Sequence, residues 1–325
     1  MATMEPYKPH GVIPAVLLPF GEDFAIDEAA FRSHLRDVTG VRGIGAITVN
    51  GHSSEVHACT ADERKRVLDI ALDEAGGRVP VIDGIYTDSS LEAARVARES
   101  ERAGAAALLV LPPHSIGRGG GQKRPEMALL HFRAIAGATG LPLIAFQYPL
   151  ADGYGYPLDT LLRIADEVPT LAAIKDGCYD VRLHERHIRT LQSLPRPVNV
   201  LTTHSPWLLP SLTLGCNGLL SGAGSIVADL HVALFEAVRA GDMKRAAAVN
   251  DRLYPTSQCF YADPACDMHN RMKEGLALLG RLPRAVVRPP LAKLGAAEIA
   301  AIAAALKQAG IGRDGASPPP APATK

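Results

Sequence analysis

Short apolar stretches rich in Val, Ile and Leu alternate with amphipathic stretches along most of the chain. The apolar stretches begin about 20 to 36 residues apart, a spacing that suits one strand, one helix and two loops. This alternation is typical of parallel strands that are covered by helices on both faces. Eight strands are predicted, at residues 12–18, 43–49, 79–85, 106–111, 141–148, 171–175, 198–202 and 218–221.

Several of the amphipathic stretches start with residues that commonly begin a helix. Asp27 is a favourable N-cap residue and is followed by Glu28 in the first turn. Thr60 stands three residues before Glu63, which is the spacing of a capping box. Ser89 comes just before another such stretch. Helices are predicted between the strands at 27–38, 60–75, 89–103, 125–138 and 158–167, and after the eighth strand at 228–239, 243–253, 268–279 and 296–309.

Eight successive β/α units predict an α/β fold, a (β/α)8 TIM barrel with a C-terminal helical extension, whose active site lies at the C-terminal ends of the strands. An open doubly wound sheet is the alternative. It would normally place a GxGxxG turn after the first strand, whereas residues 17–21 are Leu-Leu-Pro-Phe-Gly. We divide the chain into a barrel at 1–225, a C-terminal helical region at 226–315 and a Pro/Ala-rich tail at 316–325 that we expect to be disordered.

Charge and hydropathy exclude several classes of function. Lys+Arg and Asp+Glu both number 34, so no excess of positive charge favours binding to a nucleic acid. The longest apolar run, residues 105–111, is far shorter than the ~20 residues of a membrane span, and residues 1–14 carry no secretory signal. We therefore expect a cytoplasmic protein with neither a nucleic-acid nor a membrane partner.

The cysteines and histidines do not form a recognisable metal motif. The five cysteines are odd in number and include no CxxC pair, which favours reduced thiols over disulfides or a zinc site. The sequence also contains no HExxH pattern. We therefore predict neither a metal nor an organic cofactor.

Lys175 is the most informative single residue. Of nine lysines it alone falls within a predicted strand, in the segment Leu-Ala-Ala-Ile-Lys-Asp that ends at Asp176. At the end of a barrel strand its amine would be partly desolvated, and a lowered pKa would make the neutral amine a nucleophile towards a carbonyl carbon. The alternatives are a lysine that extends to the barrel rim or one that pairs with Asp176.

Two other strand ends would lie near this lysine in a barrel. Tyr148 ends the fifth strand, one strand before Lys175, and its phenol could transfer protons; it could equally be a packing residue. The second strand leads into a turn, residues 50–55, whose hydroxyls and backbone N–H groups could hold a carboxylate. Such small-residue turns often have no function beyond the turn itself. The eighth strand continues into small residues at 221–225, where a ligand could approach the backbone closely.

At these residues the chain resembles the dihydrodipicolinate synthase and N-acetylneuraminate lyase superfamily, over about residues 9 to 310. The resemblance implies a (β/α)8 barrel that forms a Schiff base with pyruvate. By this resemblance Lys175 forms the Schiff base, Tyr148 transfers protons, and the substrate-binding residues are His52, Ser53, Ser54 and Leu220. The matching segments, in the family's order, are 11–20 with 26–27, 50–55, 79–84, 103–105 with 111–113, 147–149, 173–176 and 214–221.

Three departures from the family pattern concern the substrate and the proton path. His52 stands where the family has a hydroxyl residue, and Ser54 stands for a glycine of its carboxylate-binding turn. Gly153 occupies the position of the arginine with which the family's synthases bind their second substrate. His114 stands where the family places a relay tyrosine at a dimer contact, so we consider it a possible member of an altered proton relay.

We therefore predict a class I lyase or aldolase that acts on pyruvate or a 2-oxo-3-deoxy-type acid as its small-molecule partner. One alternative is 4-hydroxy-tetrahydrodipicolinate synthase, which Gly153 disfavours. Another is a catalytically weak family member that binds a 2-oxo acid as a sensor or scaffold, which the replacements at His52 and His114 motivate. The resemblance also implies a homotetramer or homodimer, with the glycine-rich segment 117–121 near a subunit contact.

Overall fold

Eight short parallel strands form the barrel in the computed structural model, which describes residues 7–312. The tail predicted at 316–325 lies outside the described residues. All eight predicted strands are present: six are shortened at one end or both, the sixth is one residue longer than predicted, and the eighth has its predicted bounds. The strands are β1 (Gly11–Pro14), β2 (Ile47–Val49), β3 (Val81–Ile85), β4 (Ala107–Val110), β5 (Leu143–Gln147), β6 (Leu171–Asp176), β7 (Asn199–Thr202) and β8 (Gly218–Ser221).

The strands follow one another around the barrel in chain order, and β1 pairs with β8. The circle closes between β1 and β2 through two isolated bridges, Val12 to Ile44 and Ala15 to Thr48. The predicted (β/α)8 barrel is therefore confirmed, and the open-sheet alternative is wrong. Because all strands run in parallel, their C-terminal ends meet on one face, where Lys175 and Tyr148 both lie.

Helices cover the outside of the barrel and continue beyond it. All nine predicted helices are present within a few residues of their predicted bounds, except that the second helix after the barrel runs on through Pro255. The helices are α1 (Glu28–Thr39), α2 (Ala61–Ala75), α3 (Ser90–Ala103), α4 (Gly120–Lys123), α5 (Pro125–Ala136), α6 (Leu158–Glu167), α7 (Val181–Leu191), α8 (Leu208–Thr213), α9 (Gly224–Arg239), α10 (Met243–Phe260), α11 (Met268–Leu278) and α12 (Ala296–Gln308). The predicted capping box of Thr60 and Glu63 is formed at α2.

Three helices were not predicted, namely α4, α7 and α8. The first and last are short, and Pro210 interrupts the pattern of α8. In α7 the buried face consists of His184, His187, Ile188 and Leu191. These positions have the spacing of an amphipathic helix, but two of the four are histidines, which a search for apolar residues does not count.

The interior of the barrel is filled by one inward-pointing set of apolar side chains, which includes Ile13, Leu109, Ile144, Leu201 and Leu220. Successive residues of a strand point to opposite faces, so Ala173, which belongs to this set, fixes the direction of Lys175 two residues later. Asp176 consequently points outward, towards α7. The strand thus places the lysine inside the mouth of the barrel and separates it from the neighbouring carboxylate.

The C-terminal helices pack on the active end of the barrel as well as on one another. The predicted division at residue 225 falls within α9, which packs on β1. We therefore propose that the helical extension begins after α9. Within the described chain, 7–312, no helix combines the length and the apolar character needed to cross a lipid bilayer.

A buried ion pair joins this extension to the turn that follows β2. Lys273 of α11 forms an ion pair with Glu55, and both side chains are almost completely buried. Lys273 Nζ also donates to the carbonyl of Val286 at 2.8 Å, and the backbone N–H of Arg288 donates to Glu55 Oε2 at 3.0 Å. The backbone of Glu55 is held in the left-handed region, with φ at 50°. The extension therefore fixes the shape of a turn that contains three of the predicted site residues, His52, Ser53 and Ser54.

Candidate active site

A pocket of about 400 Å³ opens at the C-terminal ends of the strands and contains Lys175. Its inner wall comes from the turn after β2, from β5 and from β6, and its outer wall comes partly from the helical extension. The lining residues are His52, Ser53, Phe146, Tyr148, Pro149, Asp152, Lys175, Gly177, Tyr179, Thr203, Pro206, Gly222, Tyr261, Asp263, Ala265 and Met268.

The side chain of Lys175 is buried and has no hydrogen-bond or ion-pair partner within residues 7–312. Its Nζ lies 4.1 Å from the centre of the Phe146 ring. The pairing with Asp176 that the sequence left open is not formed, because that carboxylate accepts hydrogen bonds from His184 and His187 instead. Burial lowers the pKa of Lys175 to about 7. A substantial fraction of the amine is therefore neutral near pH 7, and the neutral amine is the form that attacks a carbonyl carbon.

Tyr148 and His52 form a hydrogen-bonded pair beside the lysine. The Tyr148 hydroxyl lies 2.8 Å from His52 Nε2, and the Tyr148 ring lies 4.3 Å from the Phe146 ring, between centroids. Burial raises the pKa of Tyr148 and lowers the pKa of His52 to about 3, with Lys175 adding to the second effect. Both groups are neutral at pH 7. The phenol can therefore donate to Nε2 when the imidazole carries its proton on Nδ1.

The predicted substrate-binding residues separate into those that reach the pocket and those that do not. His52 and Ser53 line it, and the absence of a side chain on Gly222 makes the room for the Ser53 hydroxyl. Ser54 does not reach the pocket, because its hydroxyl donates to the carbonyl of Val16 at 2.8 Å. Leu220 does not reach it either, since its side chain packs deeper in the barrel interior.

His114 lies outside the pocket on the exposed loop after β4. Its Nδ1 is 3.1 Å from the Tyr86 hydroxyl, and its ring packs edge-on against Tyr154. Tyr154 in turn contacts Tyr148 only through the rings, whose centroids are 6.1 Å apart. Within residues 7–312, no hydrogen bond connects His114 to Tyr148, so the predicted relay residue is not part of a continuous relay within one chain.

The second-substrate region is acidic. Asp152 and Asp263 both line the pocket. Among residues 7–312, Lys175 is its one lysine or arginine, and neither Arg118 nor Arg124 borders it. Gly153 has a φ of +80°, and a Cβ at this position would lie 3.0–3.2 Å from backbone atoms of Arg118 and Gly119. The backbone here therefore disfavours any side chain at the position of the missing arginine.

Sequence reasoning missed Phe146, Tyr179, Thr203 and the pocket residues of the extension. Phe146 could have been found, because it stands two residues before Tyr148 and so shares its face of the strand. Tyr261, Asp263 and Met268 could not, because nothing in a helical stretch shows which end of a barrel it will cover.

Comparison of the sequence with known proteins identifies the family to which this chain belongs. Residues 8–309 match the sequence profile of the dihydrodipicolinate synthetase family. The chain belongs to this family. It is 31% identical over 316 residues to a 4-hydroxy-tetrahydrodipicolinate synthase of Kineococcus radiotolerans, covering 94% of this chain and 96% of that protein. It is 29% identical to the enzyme of that name from Maridesulfovibrio salexigens, covering 93% and 98% of the two chains.

The fold is shared with solved members of the dihydrodipicolinate synthetase family. YagE, a prophage protein of this family from E. coli K12 whose crystal structure is in complex with pyruvate, superposes with a TM-score of 0.85 at 25% identity, covering 93% of this chain and 99% of YagE. The dihydrodipicolinate synthase of Aquifex aeolicus superposes with a TM-score of 0.83 at 23% identity, covering 93% and 99%. The protein is thus a lyase of the dihydrodipicolinate synthetase family.

Proposed function

We propose that the protein is a class I lyase that forms a Schiff base between Lys175 and pyruvate or a 2-oxo-3-deoxy-type acid. The observation that carries this proposal is a buried lysine that has no hydrogen-bond or ion-pair partner within residues 7–312. It lies in a pocket at the mouth of the barrel, beside a hydrogen-bonded tyrosine. Burial lowers the pKa of this lysine to about 7, so a large fraction of its amine is a nucleophile at neutral pH. Neither a metal ion nor an organic cofactor is invoked.

In the proposed cleavage, the neutral Lys175 amine attacks C2 of the 2-oxo acid, and the carbinolamine loses water to form an iminium ion. The C3–C4 bond then breaks, its electrons move to the iminium nitrogen, and the C4 hydroxyl loses its proton as the aldehyde leaves. Protonation of the enamine at C3 and hydrolysis release pyruvate and the free amine. Tyr148 would carry the protons, with His52 Nε2 as its hydrogen-bond partner. Condensation is the same sequence in reverse.

Turnover on a panel of 2-oxo-3-deoxy acids tests this function against a sensor or scaffold role. An enzyme should release pyruvate from at least one acid of the panel, whereas a binding protein should be trapped by borohydride with pyruvate without turning any of them over. An absence of both turnover and trapping would contradict the proposal itself.

Replacing Ser53 with alanine should weaken binding of the 2-oxo acid. Its hydroxyl lines the pocket and makes no hydrogen bond within residues 7–312, so it is available to donate to the substrate carboxylate. Because a hydrogen bond to a charged group contributes about 1.5–3 kcal/mol, KM for pyruvate should rise on the order of 10- to 100-fold. Ser54→Ala is the matched control, since the Ser54 hydroxyl donates to Val16 instead. Equal KM values for the two variants would remove Ser53 from the carboxylate site.

Aspartate semialdehyde should be a poor second substrate, although several relatives are named 4-hydroxy-tetrahydrodipicolinate synthase. The family's synthases meet its carboxylate with an arginine, whereas this pocket offers Gly153 with Asp152 and Asp263. We expect kcat/KM for its condensation with pyruvate to fall below the ordinary enzyme range of ~10⁴ M⁻¹s⁻¹. Asp152→Asn, which removes one repelling charge, should raise this value. An ordinary kcat/KM in the native protein would instead favour synthase activity, with an arginine recruited from the loop after β4.

The protein should be a homo-oligomer. The family resemblance supports a homotetramer or homodimer in which the loop around residues 117–121 lies near a subunit contact, and His114 on this loop is exposed in the single chain. Sedimentation velocity at micromolar concentration measures this directly. A monomer under these conditions would contradict the expectation. The cytoplasmic location likewise stays a prediction from the sequence.

A further inference from the structure

A cluster of buried histidines lies directly behind the strand that carries Lys175. The Asp176 carboxylate accepts hydrogen bonds at 2.8 Å from Nδ1 of both His184 and His187, which lie on α7. His184 Nε2 is 2.8 Å from the Ser211 hydroxyl, which is 2.5 Å from the Thr202 hydroxyl at the end of β7. The Thr202 hydroxyl is in turn 3.0 Å from His204 Nδ1. We call these residues the histidine network: Asp176, His184, His187, Thr202, His204 and Ser211.

The far end of the histidine network contacts Tyr179, a residue that lines the pocket. His204 Nε2 accepts a hydrogen bond at 3.1 Å from the backbone N–H of Tyr179, and the His204 ring stacks on Trp207 with centroids 4.1 Å apart. Since a backbone N–H can only donate, Nε2 must be unprotonated, and the neutral ring carries its proton on Nδ1, towards Thr202. Burial also lowers the pKa of His204 to about 3, which agrees with a neutral ring.

The same geometry makes the cluster a poor metal site, although its ligand atoms lie close together. The lone pair of His204 Nε2 is occupied by Tyr179, and the two nitrogens that face Asp176 must carry protons to donate to the carboxylate. Burial alone would raise the pKa of Asp176, but these hydrogen bonds hold it well below its usual range. The carboxylate is therefore charged and satisfied by imidazole protons.

Tyr179 is held in an unfavourable backbone conformation at the mouth of the pocket. Its φ is +52°, in the left-handed region that bulky side chains rarely adopt. The next residue, Asp180, caps α7 by accepting from the N–H of Leu183 at 2.9 Å. The Tyr179 ring borders the pocket and remains 50% exposed. A strained residue persists only where its surroundings fix it, and such residues concentrate at ligand contacts.

We propose that Tyr179 is a specificity-determining residue that contacts the aldehyde half of the substrate, and that the histidine network positions it there. This inference rests on the proposed Schiff-base function. Lys175 inside the barrel holds the 2-oxo end of the substrate, which leaves the carbons beyond C3 to extend towards the mouth. In this proposal β6 acts on both halves of the substrate. Lys175 on its inner face binds the 2-oxo half, and Asp176 on its outer face supports the histidine network that positions Tyr179 against the aldehyde half.

The experiment compares two readouts in the full-length protein: the rate of borohydride trapping with pyruvate, and KM for cleavage of 2-keto-3-deoxygluconate as a six-carbon probe. Tyr179→Ala should raise this KM by about tenfold or more and leave the trapping rate within about twofold of the native value. Tyr254→Ala is the matched control, because Tyr254 is 58% exposed and lies outside the pocket. It should change neither readout.

A conservative pair of variants tests the network. His204→Asn loses the acceptor for the Tyr179 N–H and should raise KM for the six-carbon acid. His204→Gln can place an oxygen near the position of Nε2 and should restore KM to within about threefold of native.

The inference is overturned if KM rises no more in Tyr179→Ala than in Tyr254→Ala, or if the trapping rate in Tyr179→Ala falls by as large a factor as KM rises. One zinc ion per chain in the purified protein would overturn the hydrogen-bonded network. If the native protein is not trapped by pyruvate, the proposed function is contradicted, and so is this inference, which rests on it.

Discussion

Replacing Lys175 with methionine is expected to abolish covalent trapping by pyruvate and borohydride and to lower turnover by at least about 10³-fold. Methionine keeps an unbranched apolar side chain and removes the Nζ that lies over the Phe146 ring, so the barrel should remain folded. In the native protein, mass spectrometry should find a reduced three-carbon adduct, and peptide mapping should place it on Lys175.

Two controls accompany this result. Lys65→Met removes an exposed lysine of α2 that pairs with Asp69, and it should trap like the native protein. Burial lowers the pKa of Lys175 to about 7, and the nucleophile is the neutral amine, so trapping should slow as the pH falls below 7 and level off above 8. An adduct on another lysine, or trapping in Lys175→Met, would refute the mechanism.

Replacing Tyr148 with phenylalanine should keep pyruvate binding and lower turnover on the order of 10²- to 10⁴-fold, the usual size of a general acid–base contribution. The ring contact with Phe146 survives this change, and the hydroxyl that bonds His52 is lost. Steady-state kinetics on the acid that the panel identifies measure both parameters.

The matched control is Tyr86→Phe, which breaks the contact with the exposed His114. Because no hydrogen bond within residues 7–312 links His114 to Tyr148, this variant of a single chain should stay close to native turnover. Unchanged turnover in Tyr148→Phe would reduce that residue to packing. A loss in Tyr86→Phe as large as in Tyr148→Phe would show that His114 transfers protons after all.

The sequence predicts the barrel and its reactive centre well because both depend on local patterns. A lone lysine in an apolar strand is unusual enough to single out Lys175, and chain order around a barrel places Tyr148 on the adjacent strand. The turn after β2 could be predicted only in part. His52 and Ser53 are neighbours and both face the pocket, whereas Ser54 faces Val16, because the positions of a turn do not alternate as they do in a strand.

The remaining site depends on contacts between segments that are distant in the sequence. The side chain of Leu220 points into the barrel, as expected for a pocket residue, but it lies too deep to reach the pocket. The alternation of side chains along a strand gives their direction and not their depth. The buried positions of α7 recur with the helical period, but two of them are histidines that are buried through their bonds to Asp176, and a count of apolar residues alone does not recognise them. Residues of the helical extension complete the mouth of the pocket. No pattern within the extension's own sequence indicates that it packs against this end of the barrel.

The ion pair between Glu55 and Lys273 has a consequence for how the chain can be divided. A shortened protein that ends after α9 would retain all eight strands, yet the Glu55 carboxylate would lose Lys273 and the backbone N–H of Arg288. Removing one partner of a buried ion pair costs about 3–5 kcal/mol, a large part of the stability of an ordinary domain. The turn that carries His52 and Ser53 would be the first part to lose its shape. We therefore expect a barrel cut after α9 to be unstable, and a designed fragment or chimera should keep α11 and residues 286–288 together with the turn that they hold.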